Sequence, residues 1–106
     1  MPDLNTTTRI YVDADACPVK DEIYRVAIRH GLPVSVVAGN FIRVPPDPLI
    51  ERIAAGSGMD AADDWIVGEA RSNDIVITAD IPLAARAVAL GAHVLGMSGK
   101  EFTPDT

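Results

Sequence analysis

A chain of 106 residues, 48% of them hydrophobic, has enough apolar side chain for one domain with a modest core and too much to stay disordered. The net charge of −6 counts against a nucleic-acid partner, because phosphate contacts need Lys and Arg; that objection weakens where acids neutralise a bound cation. Aromatic residues are only 5%, too few for a stacking platform for single strands.

The first residues, MPDLNTTT, lack the basic and apolar regions of a signal peptide and read as a disordered arm over residues 1–8. Residues 9–106 form the expected single domain. No apolar run is long enough to span a bilayer. Cys17, the sole cysteine, cannot form an internal disulfide. The expectation is a cytoplasmic protein with no membrane partner.

Arg9–Asp13 (RIYVD) is a short β-branched and aromatic run that predicts a buried strand. Pro18–His30 follows as a helix. Ile23, Val26, Ala27 and His30 fall at helical spacing, Asp21 and Glu22 suit the dipole of the first turn, and Gly31 stops the helix. Pro33–Ala38 (PVSVVA) predicts a second strand. Asp47-Pro48 before LIERIAA and Gly56 carries the local signature of a capped helix, with a strand over Ile50–Ala54 as its competitor. Asp60–Arg71 is a helix with Ala62, Ile66 and Ala70 on one face, weakened by Gly68. Asp74–Thr78 (DIVIT) is the clearest strand. Pro82–Leu90 is a helix closed by Gly91, Ala92–Leu95 a last strand, and the remainder a polar tail.

Strands alternating with helices imply a mostly parallel sheet with helical crossovers, a three-layer α/β/α fold. Tyr11, Val12, Val36, Val37, Val76, Ile77 and Val94 are the expected interior. Three helices over about five strands leave one face thinly covered, which predicts association as a homodimer.

Ligands of such sheets bind at the carboxyl ends of strands. Asp13 and Asp15 lie just past the first strand and Asp80 just past DIVIT. Asp60, Asp63 and Asp64 open a helix at i, i+3, i+4 spacing, which places them on one face. Each acid taken alone reads as a helix cap. Gathered at one edge, they need a counter-charge, and a hard cation such as Mg²⁺ or Mn²⁺ supplies it through oxygen ligands. Cys17 reads as packing, and His30 and His93 as structural. Lys20 and Arg86, near the starts of helices at the acidic edge, read as partners of surface ion pairs before they read as phosphate ligands.

Four strings carry a resemblance: Tyr11-Val-Asp-Ala-Asp-Ala-Cys-Pro-Val, Val37-Ala-Gly-Asn, Gly58-Met-Asp-Ala-Ala-Asp-Asp-Trp-Ile and Asp74-Ile-Val-Ile-Thr-Ala-Asp-Ile-Pro-Leu-Ala-Ala-Arg. With the terminal Gly99-Lys-Glu-Phe-Thr-Pro-Asp, they resemble the YaiI/YqxD family of uncharacterised bacterial proteins from about Arg9 onward. That family is similar to the PIN-like superfamily, whose active members are metal-dependent ribonucleases. The resemblance implies a PIN-like fold, favours the strand over the helix at Ile50–Ala54, and maps the family's acids onto Asp13, Asp15, Asp60, Asp63, Asp64 and Asp80. It implies a Mg²⁺- or Mn²⁺-dependent phosphodiesterase acting on RNA. Asp13 and Asp80 are its first ligands, Asp60 and Asp64 complete the shell, and Asp13, Asp15 and Asp80 carry the chemistry. Family members continue with further helical sequence where this chain stops at Thr106.

Two other readings stand beside it. A haloacid-dehalogenase-like phosphatase also sets Asp-x-Asp after its first strand, with Asp13 as nucleophile and Asp15 as general acid; the later acids lack the Lys and Ser/Thr order it needs. A PIN-like module that binds RNA or protein without cutting suits the acidic charge.

Overall fold

Ile10 and Val12 face one side of the first strand and Tyr11 the other, and all three are buried, which requires layers on both faces of the sheet. A computed structural model describes residues 8–16, 20–39, 42–56, 58, 60–96 and 101–102. The elements run β1 (Ile10–Asp13), a short 3₁₀ turn (Ala14–Ala16), α1 (Lys20–His30), β2 (Val34–Ala38), β3 (Ile50–Ala54), α2 (Ala61–Glu69), β4 (Ile75–Ile77), α3 (Ile81–Ala89), β5 (His93–Leu95) and β6 (Glu101–Phe102). One sheet holds all strands in the order β3-β2-β1-β4-β5-β6. β1 to β5 are parallel, and β6 lies antiparallel to β5.

The two cores follow from the alternation of side chains. Ile10, Val12, Val34, Val36 and Ala38 meet Tyr24 and Ala27 of α1. Tyr11, Val37, Val76 and Val94 meet Ile66 of α2 and Leu83, Ala84 and Ala87 of α3 on the opposite face. This is the expected three-layer α/β fold, and every residue predicted for its interior is buried. Burying a side chain the size of Leu83 or Ile66 contributes about 1.5–3 kcal/mol. Ile75 and Leu95, on the α1 side of β4 and β5, are only partly buried, so α1 covers chiefly the β1–β2–β3 half of that face.

Two expectations need correction. Over its described residues 42–49 the crossover from β2 to β3 is not helical: Pro45, Pro46 and Pro48 remove backbone donors and disfavour helical geometry in the residues before them, and Ile42 and Val44 pack on the α1 side instead. The capping signal at Asp47 is a turn. Its carboxylate accepts from Leu49 N–H at 2.9 Å and its carbonyl from Ile50 N–H at 2.9 Å, which delivers the chain into β3. The strand at Ile50–Ala54 therefore stands, an edge strand with Glu51 and Arg52 exposed as edges require. The polar tail is the second correction, since residues 101–102 extend the sheet by pairing with Val94 and Leu95.

Positive φ at Gly31 (66°) and Gly91 (90°) ends α1 and α3 in the left-handed conformation that glycine adopts without penalty. At the amino edge, buried Asp74 accepts from Arg9 N–H at 3.0 Å and Arg71 N–H at 2.9 Å, tying β1 to the start of β4. Of the predicted arm only Thr8 lies within the described residues, and its hydroxyl donates to the Asn73 carbonyl at 3.1 Å. Among the described residues no helix is long and apolar enough to cross a membrane.

Candidate metal centre

A sheet ordered 3-2-1-4-5 reverses its winding between β1 and β4, and the crevice at the carboxyl ends of those two strands is where such folds take ligands. Asp13 is the last residue of β1. Ile77 pairs with Val12, so Thr78 follows β4 into the same crevice. Asp80 begins α3, and the first turn of α2 brings Asp63. One carboxylate oxygen from each of Asp13, Asp63 and Asp80 lies within 4.8 Å of the others.

Each acid is held by its local sequence. Asp80 is the N-cap of α3, its Oδ1 accepting from Leu83 N–H at 3.1 Å, with Pro82 preset for the first turn. Thr78 is fully buried. Its hydroxyl donates to Asp13 Oδ2 at 2.7 Å and accepts from Asp80 N–H at 2.9 Å, so one side chain joins two of the acids. Asp13 is itself only 3% exposed. Burial pushes its carboxyl up from the usual range, the Thr78 hydrogen bond pulls it back, and Asp80 and Asp15 add to the rise. Asp63 is pushed up to about 6, first by burial and then by the charges of Asp80, Asp13 and Asp60, with Arg86 opposing. Crowded carboxylates of this kind are relieved by a proton or by a cation. The donor set is hard oxygen, which suits Mg²⁺ or Mn²⁺ in preference to a soft metal.

Three candidate acids lie outside this trio. Asp15 Oδ2 accepts from Gly39 N–H at 3.0 Å, latching the turn after β1 to the end of β2. That corner is tight: a Cβ at Gly39 would lie 3.1 Å from the Gly56 carbonyl oxygen and 3.6 Å from Asp15 Oδ2. Asp64 pairs with Arg86 of α3 at 3.0 Å, so Arg86 has the ion-pair partner expected of it. Asp60 occupies the N-cap position of α2 without a side-chain cap bond. Of the three acids that open α2, Asp63 is the one beside Asp13 and Asp80, because the helix begins only at Ala61 and turns Asp64 toward Arg86 of α3 and solvent. His30 and His93 are exposed, at the end of α1 and the start of β5, away from the carboxyl edge. Cys17 and the Lys20 side chain lie outside the described residues.

Thr78 is the site residue that sequence reasoning passed over. A hydroxyl closing an otherwise apolar buried strand, two residues before a capping Asp, is the signal that identifies it, because a buried polar group needs a partner.

The chain matches the family described as "Uncharacterized BCR, YaiI/YqxD family" over residues 11–106. It is 75% identical over 99 residues to the UPF0178 protein bll3966 of Bradyrhizobium diazoefficiens, covering 93% of this chain and 59% of that protein. It is 74% identical over 99 residues to a UPF0178 protein of Rhodopseudomonas palustris strain HaA2, covering 93% of this chain and 60% of the relative. A UPF0178 protein of Nitrobacter winogradskyi is 72% identical over 98 residues, with 92% and 62% covered. No solved structure matches the chain. The chain spans about 60% of the length of the curated relatives it matches. On the family match and these identities, the chain belongs to the YaiI/YqxD family.

Proposed function

We propose that this chain is a metal-dependent phosphodiesterase of PIN-like type that hydrolyses RNA in the cytoplasm. The observation that supports it most is the meeting of Asp13, Asp63 and Asp80 at the crevice between β1 and β4. These three would hold Mg²⁺ or Mn²⁺, which when bound activates water and offsets charge on the attacked phosphate. The rest falls to the chain's own groups. Thr78 holds the Asp13 carboxylate in orientation, the α3 cap fixes Asp80, and Asp63 carries a proton below about pH 6 that a cation must displace. Asp15, latched to Gly39, keeps the turn after β1 in place.

The net charge of −6 favours a second reading, a module that binds RNA or a protein without cutting. A phosphatase reading through Asp13 needs Asp15 as general acid, and the Asp15–Gly39 bond counts against it. The test incubates the purified chain with single-stranded RNA and DNA oligonucleotides in Mn²⁺, in Mg²⁺ and in EDTA. The expected result is RNA hydrolysis that EDTA abolishes and that Asp13→Asn lowers by about 100-fold or more, with the far-UV spectrum unchanged. Cation binding without hydrolysis supports the non-catalytic module, and a trapped aspartyl-phosphate supports the phosphatase.

A further inference from the structure

Thr78 does more than fill the space beside Asp13. Its hydroxyl oxygen receives the Asp80 N–H at 2.9 Å, so the one hydroxyl hydrogen is directed away from that donor and onto Asp13 Oδ2 at 2.7 Å. Thr78 is fully buried and Asp13 nearly so; water does not compete for this bond, and Asp13 ends β1 while Thr78 directly follows β4, its paired neighbour. One of the two Asp13 oxygens therefore already carries a donor before any ion arrives.

That constraint discriminates between cations. Ca²⁺ takes six to eight oxygens and gains from chelation by both oxygens of a carboxylate, whereas Mg²⁺ uses one or two carboxylates and keeps several of its waters. A cation that chelated Asp13 would compete with the Thr78 hydrogen for Oδ2; one that uses a single carboxylate oxygen need not. Resting on the metal-dependent reading above, we infer that the Thr78 hydroxyl sets the cation preference of this centre, favouring small cations such as Mg²⁺ and Mn²⁺ over Ca²⁺ by restraining how Asp13 presents its oxygens. Thr78 is a positioning residue, acting through Asp13 and touching no substrate.

The experiment measures Mn²⁺ binding by electron paramagnetic resonance and Ca²⁺ by competition against it, on the wild-type chain, Thr78→Val and Thr78→Ser. Val keeps the shape and removes the hydroxyl; Ser keeps the hydroxyl. The ratio of Mn²⁺ to Ca²⁺ affinity should fall about tenfold in Thr78→Val, the scale of one hydrogen bond to a charged group, and stay within about twofold of wild type in Thr78→Ser. Should Val fail to fold, Thr78→Ala removes the hydroxyl without bulk at the branch and is read the same way. An unchanged ratio in the hydroxyl-free variants, or an equal fall in Ser and Val, overturns the inference while wild-type Mn²⁺ binding leaves the metal centre standing. No Mn²⁺ binding by the wild-type chain overturns both.

Discussion

Replacing Asp63 with Asn tests the electrostatics of the centre without reference to catalysis. The Asp63 carboxyl is pushed up to about 6 by burial and by Asp80, Asp13 and Asp60, against about 3.9 for an aspartate in an unfolded chain. Because the folded value is the higher one, the folded state binds the proton more tightly. Stability is therefore lost as pH rises from about 4 to about 6 and is level above that. At about 1.36 kcal/mol for each pH unit between the two values, the ceiling is about 3 kcal/mol. Asp63 keeps partial solvent contact, which screens part of that, and the expected relief is about 1–2 kcal/mol. Asn does not titrate. Asp63→Asn should therefore melt roughly 4–8 °C above wild type at pH 8 in EDTA and within about 2 °C of it at pH 4. Saturating Mn²⁺ should raise the wild-type melting temperature and raise that of the variant less. Thermal melts by circular dichroism give every term. A variant less stable than wild type at pH 8, or equally stabilised at both pH values, would show that Asp63 is not strained by its neighbours.

Asp80 serves as cap and as ligand candidate, and two variants separate the roles: Asp80→Ala should lose about 1 kcal/mol of stability, whereas Asp80→Ser should keep the cap to Leu83 and lose only cation binding. Equal stability of the two variants in urea titrations would deny the capping role. Asp64→Ala breaks an ion pair whose side chains are 47% and 65% exposed, so it should cost under about 1 kcal/mol and leave Mn²⁺ affinity within about threefold of wild type; a larger loss of affinity by titration would bring Asp64 into the centre. The partly covered Ile75 and Leu95 surface carries the proposal of a two-fold dimer, which light scattering after size exclusion should show at micromolar concentration, and a clean monomer there would retire it.

The sheet was legible because its strands are short apolar runs bounded by clear breakers: RIYVD, PVSVVA and DIVIT read as buried strands, and Gly31 and Gly91 end their helices as expected. Less was legible where one local signal has two structural uses. Asp47-Pro48 opens a helix or an Asx turn with equal local chemistry, and only the pairing of Ile50–Ala54 with β2 decides between them. β6 is two residues long and has no periodicity to read. At the site, strand ends located Asp13 and Asp80 directly. Spacing placed Asp60, Asp63 and Asp64 together, but 3.6-residue geometry cannot say which of three neighbouring acids faces the sheet until the start of α2 and the position of Arg86 are known. Thr78 was hidden for a different reason: a hydroxyl closing the apolar run before Asp80 signals that a partner is needed, but that partner, Asp13, lies 65 positions away.

Asp13, Asp63 and Asp80, whose carboxylate oxygens lie within 4.8 Å of one another, are proposed to form one cation site. Its most direct test is a crystal of this chain soaked in Mn²⁺ at about pH 7.5, with anomalous diffraction collected at the manganese edge. A peak is expected among the three carboxylates, within about 2.0–2.6 Å of an oxygen from at least two of them, and should be absent from Asp13→Asn crystals soaked in the same way. A wild-type crystal with no peak there, or with its strongest peak at Asp64 or Asp15, would contradict it.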